Sequence, residues 1–314
     1  MGLRFTVLAS GSRGNASLLQ AGSFGLLLDA GLGPRQLTAR LAAVGASWNA
    51  VNALILTHTH SDHWSERTFV ELYHRRIPVY CHPDHHRSLL ADSIAFRSLL
   101  RERLVHPYDA HKVLRLPAGL VCQPLALRHD GGLTFGFRFE QAGDHCGPSC
   151  ALGYVADLGC WDRPLAEALA DVDLLALEFN HDVAMEYASG RQPQLIARVL
   201  GDEGHLSNVQ AAALLREVLR LSTPGRLRHV VQLHLSQQCN RPDLAAAAAR
   251  AVLADLIPAP QLHTARQDRP GPILHLEAVV PHPRHHYLAR PSQSLASPLK
   301  GPVRQGWLPG LEAE

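Results

Sequence analysis

One short stretch constrains this chain more than any other. It is Thr57-His58-Thr59-His60-Ser61-Asp62-His63, placed directly after the apolar run Ala53–Leu56. Side chains alternate across an extended segment, so His58 and His60 point to one side of it. Asp62 and His63 follow on a turn and can address a second point close by. Imidazole and carboxylate supply the N and O donors that divalent metals take. A lone His-x-His pair is common on protein surfaces, but His-x-His-x-Asp-His at a strand end is far more specific. It predicts a metal site.

That loop cannot complete such a site alone, so further donors must arrive from other strand ends. His129 in LRHDGG, Asp157 in GYVADLG and His234 in VVQLHLSQ each terminate an apolar run. Taken singly, His129 or His234 would be an ordinary hydrogen-bonded histidine, and Asp157 a helix cap. Their matching placement makes them candidate ligands. A carboxylate at Asp157 could bridge two ions about 3.5–4 Å apart, the spacing of two-metal hydrolysis.

The surrounding chain reads as α/β. Short β-like runs occupy 3–9, 25–30, 53–57, 78–81, 120–127, 134–140, 152–157, 174–178, 228–234 and 273–277. Helical stretches occupy 34–44, 67–75, 84–104, 164–170, 193–200, 208–219 and 242–256, several opened by Pro at the first helical position or by Asp or Asn caps. Early strands come in hairpin-like pairs and later ones alternate with helices, the pattern of sheets covered on their outer faces. Hydrophobic residues make up 46% of the 314, enough for a sizeable core. One domain is expected over residues 1–280. From Pro281 the chain turns to Pro, Ser and Gly without periodicity, and 281–314 reads as a flexible tail. Residues 141–149 read as a loop inserted between strands.

Charge and cysteines narrow the class. A net charge of +2 announces no basic field for nucleic acid. The cysteines at 81, 122, 146, 150, 160 and 239 form no CxxC pair and no disulfide framework. The opening MGLRFTVLASGSRGNA lacks a basic-then-apolar leader, and no apolar run approaches the ~20 residues of a membrane span. A soluble cytoplasmic protein without a membrane partner is expected. Oligomeric state is not legible.

With these residues set side by side, the chain from about residue 3 to residue 278 resembles the metallo-β-lactamase superfamily. The resemblance implies an αβ/βα four-layer sandwich holding two divalent metal ions at one sheet edge. It assigns His58, His60 and His129 to one ion, Asp62, His63 and His234 to the other, and Asp157 to both. Such a pair would lower the pKa of a bridging water and supply hydroxide near neutral pH. Zinc is the first expectation, with manganese or iron suited by the same donors. Zinc β-lactamases commonly use a Cys in the second site where this chain has Asp157, so antibiotic hydrolysis is not expected.

The segments ASGSRGNAS, LLLDAG, LRHD, ADLG, EFNHD, GHLSN and HLSQQCNRP, in that order, resemble the YycJ/WalJ-like branch. That branch is related to RNase Z and to small phosphodiesterases. Departures are Ala156 where Thr is usual, Cys239 where Asn is usual, and the added tail. The resemblance implies a phosphodiesterase or nuclease, exonuclease-like, acting on DNA or RNA. The alternative is a small-molecule hydrolase of the same fold, cleaving a thioester, lactone or cyclic phosphodiester, which would need a closed and mostly apolar pocket. A non-enzymatic metal-binding scaffold is the third class, and the full donor set argues against it.

His205 in GHLSN matches the position that assists phosphate chemistry in RNase Z-like enzymes, where it would donate a proton to the leaving alkoxide. The plainer alternative is a residue packed beside the helix start at Ser207 and Asn208. His181 in NHD is a second catalytic candidate, and Asp62 counts as catalytic as well as ligating. The loop Ser10–Asn15 could bind phosphate through backbone N–H groups and Arg13, or could be a plain turn. Arg97 and Arg101 share a helix face, with Arg87 and Arg103 nearby, but Asp92 and Glu102 dilute it into an ordinary solvated face.

Overall fold

Along β1 (Gly2–Ala9), Leu3, Phe5 and Val7 enter one apolar layer while Leu8 enters another, the period of two that a strand imposes on its side chains. The same alternation runs through β2 (Ala16–Ala21), β3 (Phe24–Leu28) and β4 (Ala53–Ile55). Together with β5 (Val79–Cys81), β6 (Val105–Pro107) and the late strand β14 (Leu274–Glu277) they form a seven-stranded sheet ordered β14-β1-β2-β3-β4-β5-β6. The second sheet is built from β7 (Leu114–Arg115), β8 (Leu120–Leu127), β9 (Thr134–Gln141), β10 (Cys150–Val155), β11 (Leu174–Glu178), β12 (His229–Leu233) and β13 (Gln261–Thr264). Its order is β13-β12-β11-β10-β9-β8-β7. The computed structural model describes residues 2–141 and 149–277. The tail expected over 281–314, and most of the loop expected over 141–149, lie outside the described residues.

The inner faces of the two sheets share a core in which Phe5, Phe135, Phe137, Phe139 and Tyr154 are the largest buried side chains. The outer face of the first sheet is covered by α1 (Pro34–Ala43), α2 (Glu66–Arg75), α3 (His85–Asp92) and α4 (Ile94–Arg101). On the outer face of the second sheet lie α5 (Arg163–Ala168), α8 (Asn208–Leu221) and α9 (Pro242–Leu253), with α6 (Val183–Tyr187) and α7 (Pro193–Leu200) between α5 and α8 in sequence. This is the expected four-layer αβ/βα sandwich. Among the described residues no helix is long and apolar enough to cross a membrane.

Two details depart from the sequence expectation. The single helix expected over 84–104 is two, α3 and α4. Ser93 interrupts it in an extended conformation (φ −130°, ψ 120°), accepts from the Phe96 amide at 2.8 Å and donates to the Glu66 carboxylate. The arginine face expected there is partly spent: Arg97 donates to the carbonyls of Leu90 and Ala91 at 2.8 and 3.3 Å.

The strands β3 to β6 pair in parallel, as do β10 to β13. Parallel strands send their connecting loops out from their C-terminal ends, where ligands bind in open α/β sheets. Asp29 directly follows β3, Thr57 to His63 come just after β4, Asp157 follows β10, Glu178 ends β11 and His234 directly follows β12.

Candidate metal centre

The strand ends bring the expected donors together. His58, His60 and His129 each offer a nitrogen within 4.8 Å of the others, and Asp62, His63 and His234 form a second such group. Asp157 falls within reach of both, grouped with His58 and His63 on one side and with Glu178, His205 and His234 on the other. Its carboxylate lies 2.8 Å from His63 Nε2 and 3.0 Å from His234 Nδ1. Except for His60 and Asp62, all of these side chains are buried.

The backbone is bent to achieve this. Asp29, Asp157 and His234 all adopt left-handed conformations, with φ of 61°, 56° and 53°. Each costs on the order of 1–3 kcal/mol for a non-glycine residue and persists only where the surroundings enforce it.

Residues that sequence reading missed set the ring orientations. His63 Nδ1 donates to Asp29 Oδ2 at 2.8 Å, and His129 Nδ1 donates to the Gly204 carbonyl at 2.9 Å. The Thr57 hydroxyl donates to Asp29 at 3.0 Å and so accepts from His58 Nδ1, also at 3.0 Å. Glu178 Oε1 lies 3.1 Å from His234 Nδ1. In each case Nδ1 is engaged from behind, the arrangement by which neighbouring groups orient ligating histidines, while Nε2 of His63, His129 and His234 lies 2.8, 3.2 and 3.3 Å from Asp157, His60 and Asp62. Asn15 does the same for Asp62, donating to Oδ2 at 3.1 Å. Gly31 and Gly131 make room. A Cβ on Gly31 would sit 1.8 Å from the Asp62 carbonyl, and one on Gly131 would sit 2.5 Å from His58 Cδ2.

A model of a β-lactamase superfamily domain matches residues 25–224, more than half of the chain. The chain belongs to the β-lactamase superfamily. It is a hydrolase, and the fold of this superfamily holds divalent metal ions. An exodeoxyribonuclease from Streptococcus pneumoniae, WalJ, is 25% identical over 245 residues, covering 78% of this chain and 86% of that protein. An exodeoxyribonuclease from Bacillus anthracis, YycJ, is 26% identical over 246 residues, covering 78% and 87%. In fold the chain is similar to the metallo-β-lactamase fold protein YhfI from Bacillus subtilis, with a TM-score of 0.62 at 16% identity over 88% of this chain and 100% of that one.

The side chains fit the ions this superfamily uses. His58 Nε2 is buried without a hydrogen-bond partner among the described residues and sits in the donor groups. His60 Nδ1 and His129 Nε2 lie 3.2 Å apart. His129 Nδ1 donates to Gly204, so it is Nε2 that faces His60, and a cation between the two rings would engage both. The electrostatics are those of a cation site. Burial, and then the charge of His63, hold His58 well below the usual histidine range, which keeps it neutral and able to ligate. For Asp157 burial works to raise the pKa, but His234 and His63 outweigh it and hold the carboxyl well below its usual range. Burial opposes charge on His63 as well, yet Asp157 and Asp29 carry it well above. A buried acid paired with protonated imidazoles is a charge balance that a divalent ion can replace on binding, releasing protons.

The remaining candidates fall in different places. His205 joins a donor group with Asp157, Glu178 and His234 but spends its Nδ1 on Glu178 Oε1 at 2.7 Å, and its side chain is 20% exposed. His181 is fully buried, neither of its ring nitrogens has a hydrogen-bond partner among the described residues, and it joins none of the donor groups. The loop Ser10–Asn15 is occupied with its own structure: the Gly11 amide donates to Asn15 Oδ1, and the Arg13 amide to Gln267 Oε1, both at 2.9 Å.

Gly131→Ala is expected to push the His58 ring off its position and weaken metal binding by about 10- to 100-fold, the usual effect of disturbing what surrounds a ligand. Chelator competition reads the affinity and circular dichroism the fold. An unchanged affinity would show that His58 need not sit where it does.

Proposed function

We propose that this hydrolase is a phosphodiesterase acting on nucleic acid, exonuclease-like, at a centre of two divalent ions. One ion is held by His58, His60 and His129, the other by Asp62, His63 and His234, and Asp157 serves both. Every one of these residues falls within 1–280, which we take as the functional domain. Zinc is the first choice, and manganese or iron suit the same donors. The observation that carries this reading is the convergence of two N/O donor groups on one shared, buried carboxylate. The names of the two exodeoxyribonuclease relatives support the substrate class.

When bound, such a metal pair polarises a phosphoryl oxygen and makes water acidic enough to attack near neutral pH. The chain supplies the rest. Water oxygen bonds to phosphorus while the bond from phosphorus to the leaving oxygen breaks. Asp62, whose side chain is 19% exposed, is placed to take the proton that the water loses. Glu178 occupies Nδ1 of His205, so the other ring nitrogen delivers a proton to the leaving oxygen. The step uses no nitrogen of His181.

The small-molecule alternative calls for a closed, mostly apolar pocket. A cleft of about 410 Å³ bordered by His205 is open to solvent rather than closed, and its lining includes the polar side chains of Ser12, Asn180, Ser236 and Gln238. The test is a substrate panel: labelled single- and double-stranded DNA and RNA, a generic phosphodiester, a thioester, a lactone and a β-lactam. Phosphodiester cleavage is expected, with no β-lactam turnover. Thioester or lactone turnover far above phosphodiester turnover would overturn the proposal.

A further inference from the structure

The cleft at His205 has features that the hydrolysis step leaves unused. Two arginines line it, Arg191 and Arg198. Arg191 is held firmly: its Nη1 donates to both carboxylate oxygens of the fully buried Glu186 at 3.0 and 3.2 Å, and its Nε and Nη2 to Gln238 Oε1 at 3.2 and 2.8 Å. Arg198, on α7, donates its Nε to Asp130 Oδ2, and its side chain is 57% exposed. Among the described residues neither Nη group of Arg198 makes a hydrogen bond. A guanidinium anchored at Nε, with both Nη groups turned out, keeps the planar fork that grips phosphate oxygens.

Asp130 ties this fork to the reacting site. Its other oxygen, Oδ1, is buried without a partner and lies 3.7 Å from His60 Nε2 and 3.6 Å from His129 Nε2. The same cleft is lined by His205, whose proton goes to the leaving oxygen. The leaving half of the substrate must therefore enter this cleft. A volume of about 410 Å³ lies within the ~300–1,000 Å³ of small-ligand sites. Leu195, 38% exposed on the same wall, offers apolar surface to a sugar or base.

Resting on the phosphodiesterase reading, we infer that this cleft seats the leaving-group nucleotide and that Arg198 grips the next phosphate along the chain, with Arg191 adding positive charge beside it. The preferred substrate is then a strand carrying a phosphate beyond the leaving nucleoside, not an isolated diester.

Two measurements test this. The first is kcat/KM of the metal-loaded protein on thymidine dinucleotides carrying a terminal phosphate at the 5′ end, at the 3′ end, or at neither. One terminal phosphate is expected to raise kcat/KM by roughly tenfold or more, the worth of a charged hydrogen bond. Arg198→Ala should abolish the gain and Arg198→Lys keep part of it. Arg220→Ala, at the far end of the 14-residue α8, should keep all of it. The second is binding of a labelled single-stranded oligonucleotide to the metal-free protein as salt is varied. Arg198→Ala should flatten the slope of log affinity against log salt by about 0.7, the loss of one phosphate contact on a single strand. A gain that survives Arg198→Ala, or an unchanged salt slope, overturns the subsite. A wild type that cleaves none of the dinucleotides but hydrolyses another ester class overturns the phosphodiesterase reading instead.

Discussion

Asp157→Ala is expected to lose bound metal and at least about 1,000-fold in turnover, since two-ion stabilisation supplies several kcal/mol to the transition state. The carboxylate sits at the junction of both donor groups, so its removal weakens both at once. It also removes one of the two buried carboxylates that each of His63 and His234 meets, leaving Asp29 on His63 and Glu178 on His234. Those two contacts, and the apolar layers on either side of each sheet, are why the fold should largely survive. Alanine is a poor tenant of a left-handed position at φ 56°. Asp157→Asn, which tolerates that backbone and lacks the charge, separates metal loss from local strain. His58→Ala should show the same pattern on the other side of the cluster. Elemental analysis decides the matter: full metal content in Asp157→Ala and His58→Ala would remove both residues from the ligand set.

The second large effect belongs to His205. It lies outside the two donor groups proposed to hold the ions, so His205→Ala should keep its metal while losing about 100- to 10,000-fold in turnover, the usual contribution of acid–base assistance. On a substrate with a p-nitrophenolate leaving group, which needs no proton, the deficit should shrink. Equal losses on good and poor leaving groups would make His205 a positioning residue. No loss on either would leave it a residue packed beside the start of α8.

How much of this was legible in the sequence depended on how far each relationship reaches along the chain. Thr57 to His63 could be read directly because the donors lie within one loop. His129, Asp157 and His234 could be read because each ends an apolar run, a local signal repeated. Asn15, Asp29 and Glu178 could not. Asp29 meets His63 across 34 positions and Glu178 meets His234 across 56, and nothing in LLLDAG or LALEF states which imidazole will arrive. Arg191 and Arg198 escaped notice for the same reason, since a cleft wall has no sequence period. The more conspicuous Arg97 proved to be bonded to backbone carbonyls. In the fold, β2 was passed over because ASLLQA is short and follows a glycine-rich turn, yet it pairs with both β1 and β3. The split at Ser93 was hidden because a serine within a helical pattern looks the same whether it continues the helix or caps a new one.

The central claim is that two ions in this cluster cleave phosphodiesters, and the most direct measurement is a metal titration of activity. The protein is stripped with a chelator, zinc or manganese is returned in stepwise equivalents, and hydrolysis of a labelled oligonucleotide is followed beside elemental analysis. The account predicts no cleavage by the stripped protein and full activity only as the content reaches about two ions per chain, the number a two-metal site requires. Undiminished cleavage after metal removal, or full activity at a single ion with no second bound, would contradict it.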